Sequence, residues 1–516
     1  MKNLFQVLSL FVLAAFALSS CTPAQQTDLS ELNLIPIPCK IEAGNGYFEI
    51  DNQTKIILDN QNSELGEVAQ MLIKHLCVAT GFDFVIENKS ARNSKNSILF
   101  QLNDDKELGR EGYDIDVNPK QISINSNTPE GAFRAIQTLR QLLPAEIEKS
   151  EFVEKEWKVP SLSIRDYPRF EHRGAMLDVS RHFFGVEDVK RFIDFLAAYK
   201  MNKFHMHLSD DQGWRIEIKS WPKLTSIGGQ TQVGGGYGGY YTQNEYTEIV
   251  NYAHKRYITL IPEIDMPGHT NAALASYPEL NEDGIATELY TGTTVGFSTL
   301  ATRKEITYKF VDDVIRELAE LTPGPYIHIG GDESLVTEKD DYIYFIDRVQ
   351  DIVLSYGKTM VGWDEIAHAN LKPNAIAQFW AHKENAILAA EKKGKVIFSP
   401  AQNIYLDMKY DSTTQLGLSW AGYTEVMESY DWDPASLIPD FDESNIYGVE
   451  SPLWSETIET MSDIEYMVFP RLPGIAEIAW SKPELRDWDT YKYRLSAHKD
   501  RFEAMNINYY NSPQIP

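Results

Sequence analysis

Cysteine is scarce, with 3 residues in 516. That number excludes a disulfide framework, and no pair has the spacing of a zinc site. Basic residues are also few: 48 Lys and Arg against 75 Asp and Glu give a net charge of −27. No basic cluster of the size needed to neutralise phosphates stands out, so nucleic acids are excluded as expected partners. The acidic excess reads as a solvated surface. The apolar run from Leu8 to Leu18 is too short to span a bilayer. What is present is an ordinary globular composition, 43% hydrophobic and 24% charged, in a chain long enough for two or three domains. No repeat array or low-complexity region interrupts it.

The N-terminus has the form of a targeting segment. Lys2 supplies a positive start, Leu8 to Leu18 an apolar stretch, and Leu18-Ser19-Ser20-Cys21 its end. Small residues before a cysteine resemble the bacterial lipoprotein cleavage box. Residues 1–20 are therefore expected to be a signal peptide, with Cys21 diacylated and 21–31 a polar tether. Ordinary secretory cleavage, with Cys21 incidental, is the alternative. The lipid-bearing reading implies an exported, membrane-anchored protein in the periplasm or on the cell surface. Cys39 and Cys77 are expected to be unpaired, one bridge between them being the alternative.

Residues 32–166 read as a small α/β domain. Short strands are expected at 47–50, 54–58, 83–86, 97–101, 113–117 and 121–125, with helices over 64–80 and 129–143. The charged stretch from Glu146 to Lys158, followed by Pro160, reads as a surface connection. Across 167–516 the rhythm changes to short apolar strands alternating with longer helical patterns. Strands are expected at 173–179, 203–208, 258–264, 326–329, 359–363, 375–380, 396–399 and 446–453. Helices are expected at 186–199, 244–255, 304–321, 340–355 and 463–478. The fold class is thus α/β, a (β/α)8 TIM barrel preceded by a small α/β accessory domain. A doubly wound sheet fits less well, because no glycine-rich phosphate turn follows an early strand. The run from Gly234 to Gly239 is a flexible loop.

In such a barrel the strand C-termini face the active site. Ser209-Asp210-Asp211, Glu263-Ile264-Asp265 and Gly330-Gly331-Asp332-Glu333 follow three of the strands. Trp363-Asp364-Glu365, Trp380, Trp454 and Glu456 follow others, and the first strand carries Arg173 and Asp178. Carboxylates and indoles on one rim suit a sugar. Asp332-Glu333 is the sharpest feature: the two preceding glycines permit a backbone that turns both carboxylates inward. Two such close acids do not ionise independently, which leaves one available as a general acid.

These stretches carry a family resemblance. Residues 173–182 (RGAMLDVSRH), 203–215 (KFHMHLSDDQGWR), 262–269 (PEIDMPGH) and 328–333 (HIGGDE), with Tyr405-Leu406-Asp407 and Leu453-Trp454-Ser455-Glu456, resemble the family 20 glycoside hydrolases, the β-N-acetylhexosaminidases. The region before the barrel is similar to the family's accessory domain at Glu111-Gly112-Tyr113 and 131–143. The resemblance implies an exo-acting enzyme that removes terminal β-GlcNAc or β-GalNAc with retention, using the substrate's own acetamido group as nucleophile. It makes Glu333 the acid/base and Asp332 the carboxylate that orients the acetamido group. Tyr405 becomes a donor to the acetamido carbonyl, with Trp363, Trp380 and Trp454 enclosing its methyl. Arg173, Asp407 and Glu456 would grip the sugar hydroxyls. Asp210 and His269 would position the catalytic pair, and Trp420 would flank the leaving group. The expected partner is an oligosaccharide or glycoconjugate; no cofactor or metal is implied.

His205 and His207 alternate with apolar residues and read as interior histidines rather than substrate contacts. Trp214 and Arg215 read as shaping a loop, while Arg181 and His182 are left open. Two rival readings remain. In a metal-dependent amidohydrolase, His205 and His207 would bind zinc, but the fifth to eighth strands offer no further histidines. A non-catalytic carbohydrate-binding lipoprotein is disfavoured by the intact Asp332-Glu333 pair.

Overall fold

The structure, a computed structural model, describes residues 25–58, 62–88 and 95–516. Cys21 and the expected signal peptide lie outside the described residues. No helix among those described is long and apolar enough to cross a membrane.

The first domain is built on a seven-stranded sheet of order β1-β7-β5-β6-β4-β2-β3. Its strands are β1 (Lys40–Ile50), β2 (Lys55–Leu58), β3 (Ile86–Asn88), β4 (Ser97–Leu102), β5 (Tyr113–Asn118), β6 (Gln121–Ser126) and β7 (Trp157–Asp166). Helices Ser63–Thr80 and Pro129–Leu142 pack against it. Both begin at side-chain caps: Asn62 accepts from Leu65 N and Thr128 from Gly131 N. Gly81, at φ 67°, ends the first of them.

Strand β7 corrects the expectation of a surface connection at its start. Trp157, Val159, Leu162 and Ile164 are buried, and β7 pairs antiparallel with both β1 and β5. Pro160 argues against a strand because it donates no hydrogen bond. Here it stands opposite Tyr47, beside the irregularity where β1 loses register between Ala43 and Tyr47. The described part of the expected tether is likewise tied down. Thr27 N donates to Gly44 O and Gly46 N to Gln25 O, each at 2.9 Å. Cys39 and Cys77 are free thiols.

Eight parallel strands then close a barrel in the order β8-β9-β12-β13-β14-β15-β16-β17. They are β8 (His172–Asp178), β9 (Lys203–His207), β12 (Thr259–Glu263), β13 (Tyr326–His328), β14 (Thr359–Trp363), β15 (Ile376–Phe379), β16 (Lys395–Phe398) and β17 (Ile446–Leu453). A two-stranded ribbon, β10 (Ser209–Asp210) and β11 (Gly213–Trp214), extends the loop after β9. The helix expected over 463–478 is two helices, Met461–Val468 and Arg471–Trp480. Pro470 falls between them and cannot donate the helical bond. A last helix, Trp488–Ala504, was not foreseen.

The first domain meets the barrel at the N-terminal ends of its strands. Glu111 is buried there, accepting from Arg134 Nε at 3.0 Å, Arg173 Nη1 at 3.1 Å and Asn202 Nδ2 at 3.0 Å. Arg134 also donates to the carbonyls of Met201 and Tyr257. Lys200 Nζ reaches Tyr113 Oη at 2.7 Å and Asp166 at 2.9 Å, and Trp480 Nε1 donates to the same aspartate. Each of these buried charges has a partner of opposite sign, without which its burial would be strongly destabilising.

Candidate active site

At the opposite end of the barrel a cavity of about 220 Å³ is lined by Arg181, Thr293, Val295, Asp332, Glu333, Trp380, Tyr405, Asp407, Leu418, Trp420, Trp454 and Glu456. Its charged and aromatic residues follow β8, β13, β15, β16 and β17. The volume is below the roughly 300–1,000 Å³ of pockets that accept drug-sized ligands.

Asp332 and Glu333 owe their orientation to backbone that only special residues adopt. Gly330 and Gly331 have φ of 66° and 101°, and Glu333 itself has φ 45°. A Cβ at Gly330 would lie 1.7 Å from Asp265 Oδ1, so no side chain fits there. Gly331 N donates to that oxygen at 3.0 Å, and Tyr342 Oη donates to Gly331 O at 2.6 Å. Asp332 is buried and its Oδ1 has no protein partner. Burial, then the charge of Asp265, pushes its pKa well above the ordinary carboxylate value.

His269 stands behind the pair. Its Nε2 is 3.5 Å from Glu333 Oε2 and 3.7 Å from Asp332 Oδ2, while Nδ1 faces Asp210 Oδ1 at 3.2 Å. Burial opposes its charge, but Asp210 and Asp265 outweigh burial and hold its pKa well above the ordinary value. Asp210 is in turn gripped by Arg181 Nη2 at 2.8 Å and His207 Nε2 at 3.0 Å. Despite burial, Arg181 and His269 keep its carboxyl far below the usual range. Asp210 and Asp265 thus favour the charged form of His269 beside Asp332 and Glu333.

The aromatic wall is continuous. Trp380 stacks along Tyr405 at 6.5 Å between ring centres and 19° between planes, and Trp420 meets both edge-on. Trp380 is fixed by its Nε1 bond to Glu365 Oε2 at 3.1 Å and by Asp364, which accepts from its backbone N–H. Burial and Asp407 raise the Tyr405 pKa well above its ordinary value, so its hydroxyl stays a donor. Trp363 is wholly buried and packs on Trp454 at 5.6 Å, behind the lining side chains. Trp420 is 55% exposed at the mouth.

Asp407 and Glu456 close the base, each with one buried oxygen, Oδ2 and Oε2, that no protein group meets. Burial and Glu456 raise the Asp407 pKa well above normal; burial also raises that of Glu456, against the pull of Arg181. Acceptors buried without partners are sites where a hydroxyl-rich ligand completes the hydrogen bonding.

Arg173 requires a correction. It is the second residue of β8, at the N-terminal end, where it bonds Glu111 and lies 4.9 Å over the Trp480 ring. It cannot grip a ligand in a cavity at the other end of the strand. Arg181 stands there instead, 4.8 Å over Trp454 and paired with Asp178 and Asp210. Thr293, Val295 and Leu418 were also missed; they lie on loops with no periodic pattern. His182, left open, bonds Ser455 O and has a structural place. Arg215 donates to the carbonyls of Val179, Ser180, Gly229, Thr231 and Gly239, which fixes the loop as expected. His205 and His207 are interior and each is flanked by two carboxylates, Glu450 with Glu263 and Glu263 with Asp210.

The barrel and its cavity define a sugar-site architecture of carboxylates and indoles, and comparison with known proteins makes the class specific. Residues 170–483 match the catalytic domain of glycosyl hydrolase family 20, and 31–167 match domain 2 of that family. The chain belongs to glycosyl hydrolase family 20. It is 37% identical over 491 residues to a β-N-acetylhexosaminidase of Cellulomonas fimi, covering 94% of this chain and 97% of that one. A β-hexosaminidase of Porphyromonas gingivalis is 35% identical, over 96% of this chain and 67% of its own. Among solved structures, the N-acetyl-β-hexosaminidase of Streptomyces plicatus in complex with Thio-NAglucal superposes with a TM-score of 0.91 and 50% identity, covering 96% and 99% of the two chains.

Proposed function

We propose that the protein is an exo-acting β-N-acetylhexosaminidase that hydrolyses terminal non-reducing β-GlcNAc or β-GalNAc with retention by substrate-assisted catalysis. The observation that carries this is the buried Asp332, with one unpartnered oxygen, adjacent to Glu333 in a cavity walled by indoles. Glu333 donates a proton to the glycosidic oxygen as the bond to C1 breaks. The acetamido carbonyl oxygen attacks C1 from the other face, giving an oxazolinium ion. Water then adds to C1, returning its proton to Glu333 and opening the ring. Asp332 accepts from the acetamido N–H, and its charge, costly in the empty cavity, is matched as positive charge develops there. Tyr405 donates to the acetamido carbonyl and holds it for attack. Arg181, Asp407 and Glu456 bind the remaining hydroxyls and block extension beyond the terminal sugar.

The test is hydrolysis of aryl β-GlcNAc, β-GalNAc and β-glucoside, with and without a thiazoline mimic of the cyclised intermediate. Cleavage of the N-acetylated substrates alone, blocked by thiazoline, is the expected result. Turnover of the glucoside at a comparable rate would refute substrate assistance.

The cleavage-box residues before Cys21 support an exported lipoprotein anchored through that cysteine. Cys21→Ala would move the protein from the membrane to the soluble fraction; an unchanged distribution would refute the anchor.

A further inference from the structure

Beneath the cavity the barrel interior holds a carboxylate that the catalytic scheme does not use. Glu263 ends β12 and is fully buried. Trp363 Nε1 at 2.9 Å and His328 Nδ1 at 3.0 Å stand against its Oε1. His207 Nδ1 at 2.5 Å and His205 Nε2 at 2.9 Å stand against its Oε2. Filling the same space with apolar side chains would avoid desolvating the charge, so the arrangement calls for another reason.

The two oxygens lead to different parts of the site. From Oε1 the path runs through the Trp363 indole to Trp454, which lines the cavity. An indole has a single N–H, so that bond fixes where its nitrogen edge lies and restricts how the ring can turn. From Oε2 it runs through His207 to Asp210, then His269, whose Nε2 faces Glu333.

We infer that Glu263 is a positioning residue that locks the aromatic wall of the cavity and the column behind Glu333 into one register. This rests on the assignment of Glu333 as acid/base. Glu450 provides the comparison: it is equally buried and bonds His172, His205 and Gln378, but it touches neither Trp363 nor His207.

Glu263→Gln keeps the shape and removes the charge. Its kcat on an N-acetylglucosamine disaccharide, whose leaving group needs the acid, should fall about 100-fold or more. On a dinitrophenyl glycoside, whose leaving group does not, the fall should be about tenfold, with thiazoline binding weakened about tenfold. Glu450→Gln should stay within about threefold on all three measures. Equal losses in the two variants, or no loss in Glu263→Gln, would overturn the inference. If Glu263→Gln does not fold, the paths can be cut singly. Trp363→Phe should weaken thiazoline binding, and His207→Gln should steepen the dependence on leaving group. If each variant shifts both readouts alike, or neither moves either, the two-path reading is overturned. A wild-type protein inert on every N-acetylated substrate would refute the functional reading itself, a result distinct from normal turnover in Glu263→Gln.

Discussion

At the N-terminal end of the barrel Glu111 is buried among Arg134, Arg173 and Asn202; at the C-terminal end Asp332, Asp407 and Glu456 each hold one buried oxygen without a partner. Burial alone would raise the Glu111 pKa, but Arg173 and Arg134 bring it down to about 2. Asp332, Asp407 and Glu456 are raised, because burial and neighbouring acids outweigh any nearby cation. The same kind of group is thus settled at one end and strained at the other. The lower end joins two domains. The upper end keeps acceptors in reserve for a ligand, a cost that stable proteins carry at functional sites.

The largest effect should come from removing the acid at the upper end. Glu333→Gln should lower kcat on natural disaccharides about 1,000-fold with thermal unfolding unchanged. Asp332→Asn should cut kcat about 100-fold or more, and near-normal rates in either would dissolve the functional half of the contrast. At the lower end Arg173→Met leaves Glu111 with one fewer cation. It should cost about 3–5 kcal/mol in denaturant unfolding while the folded fraction keeps its kcat. A selective loss of substrate affinity there would restore Arg173 to the site. Asp407→Asn should do the reverse, lowering kcat/KM about 100-fold while stability holds or rises, because a buried repulsion with Glu456 is relieved; a large fall in stability would count against strain.

The smallest effect is in pH. Glu111, lowered from 4.5 to about 2, contributes stability that is present above pH 4.5 and lost as pH falls through about 2. Asp265 is raised from 3.8 to about 7, chiefly by burial, so its contribution declines as pH rises from 3.8 through 7. His205 is raised from 6.5 to about 9 because Glu263 and Glu450 outweigh burial; its contribution is full below pH 6.5 and lost as pH rises through 9. Asp265→Asn should flatten the middle segment of a stability–pH curve and leave the acid limb intact.

Much of this was legible in the chain. All eight barrel strands were located from apolar runs alternating with helical patterns, since buried parallel strands need both signals. The acidic pair stood out because two glycines precede it. Arg173 was misplaced for a reason the strand itself supplies: a residue at the start of β8 faces away from the strand's C-terminal rim, and Arg181, past its end, faces toward it. Thr293 and Val295 reach the cavity from a long irregular loop, where spacing carries no information. Strand β7 hid behind Pro160, which stands next to the irregularity of β1 and beyond the last pair that β5 makes with β7.

The closed base of the cavity has a kinetic consequence for polymers. With room of about 220 Å³ and acids across its floor, the site accepts one residue per chain end. Release from a long chain should therefore track the number of ends and not the mass of substrate. A linear glycan would yield monosaccharide at a steady pace, a branched one faster for the same weight, and a single foreign sugar capping the terminus would silence the whole chain behind it.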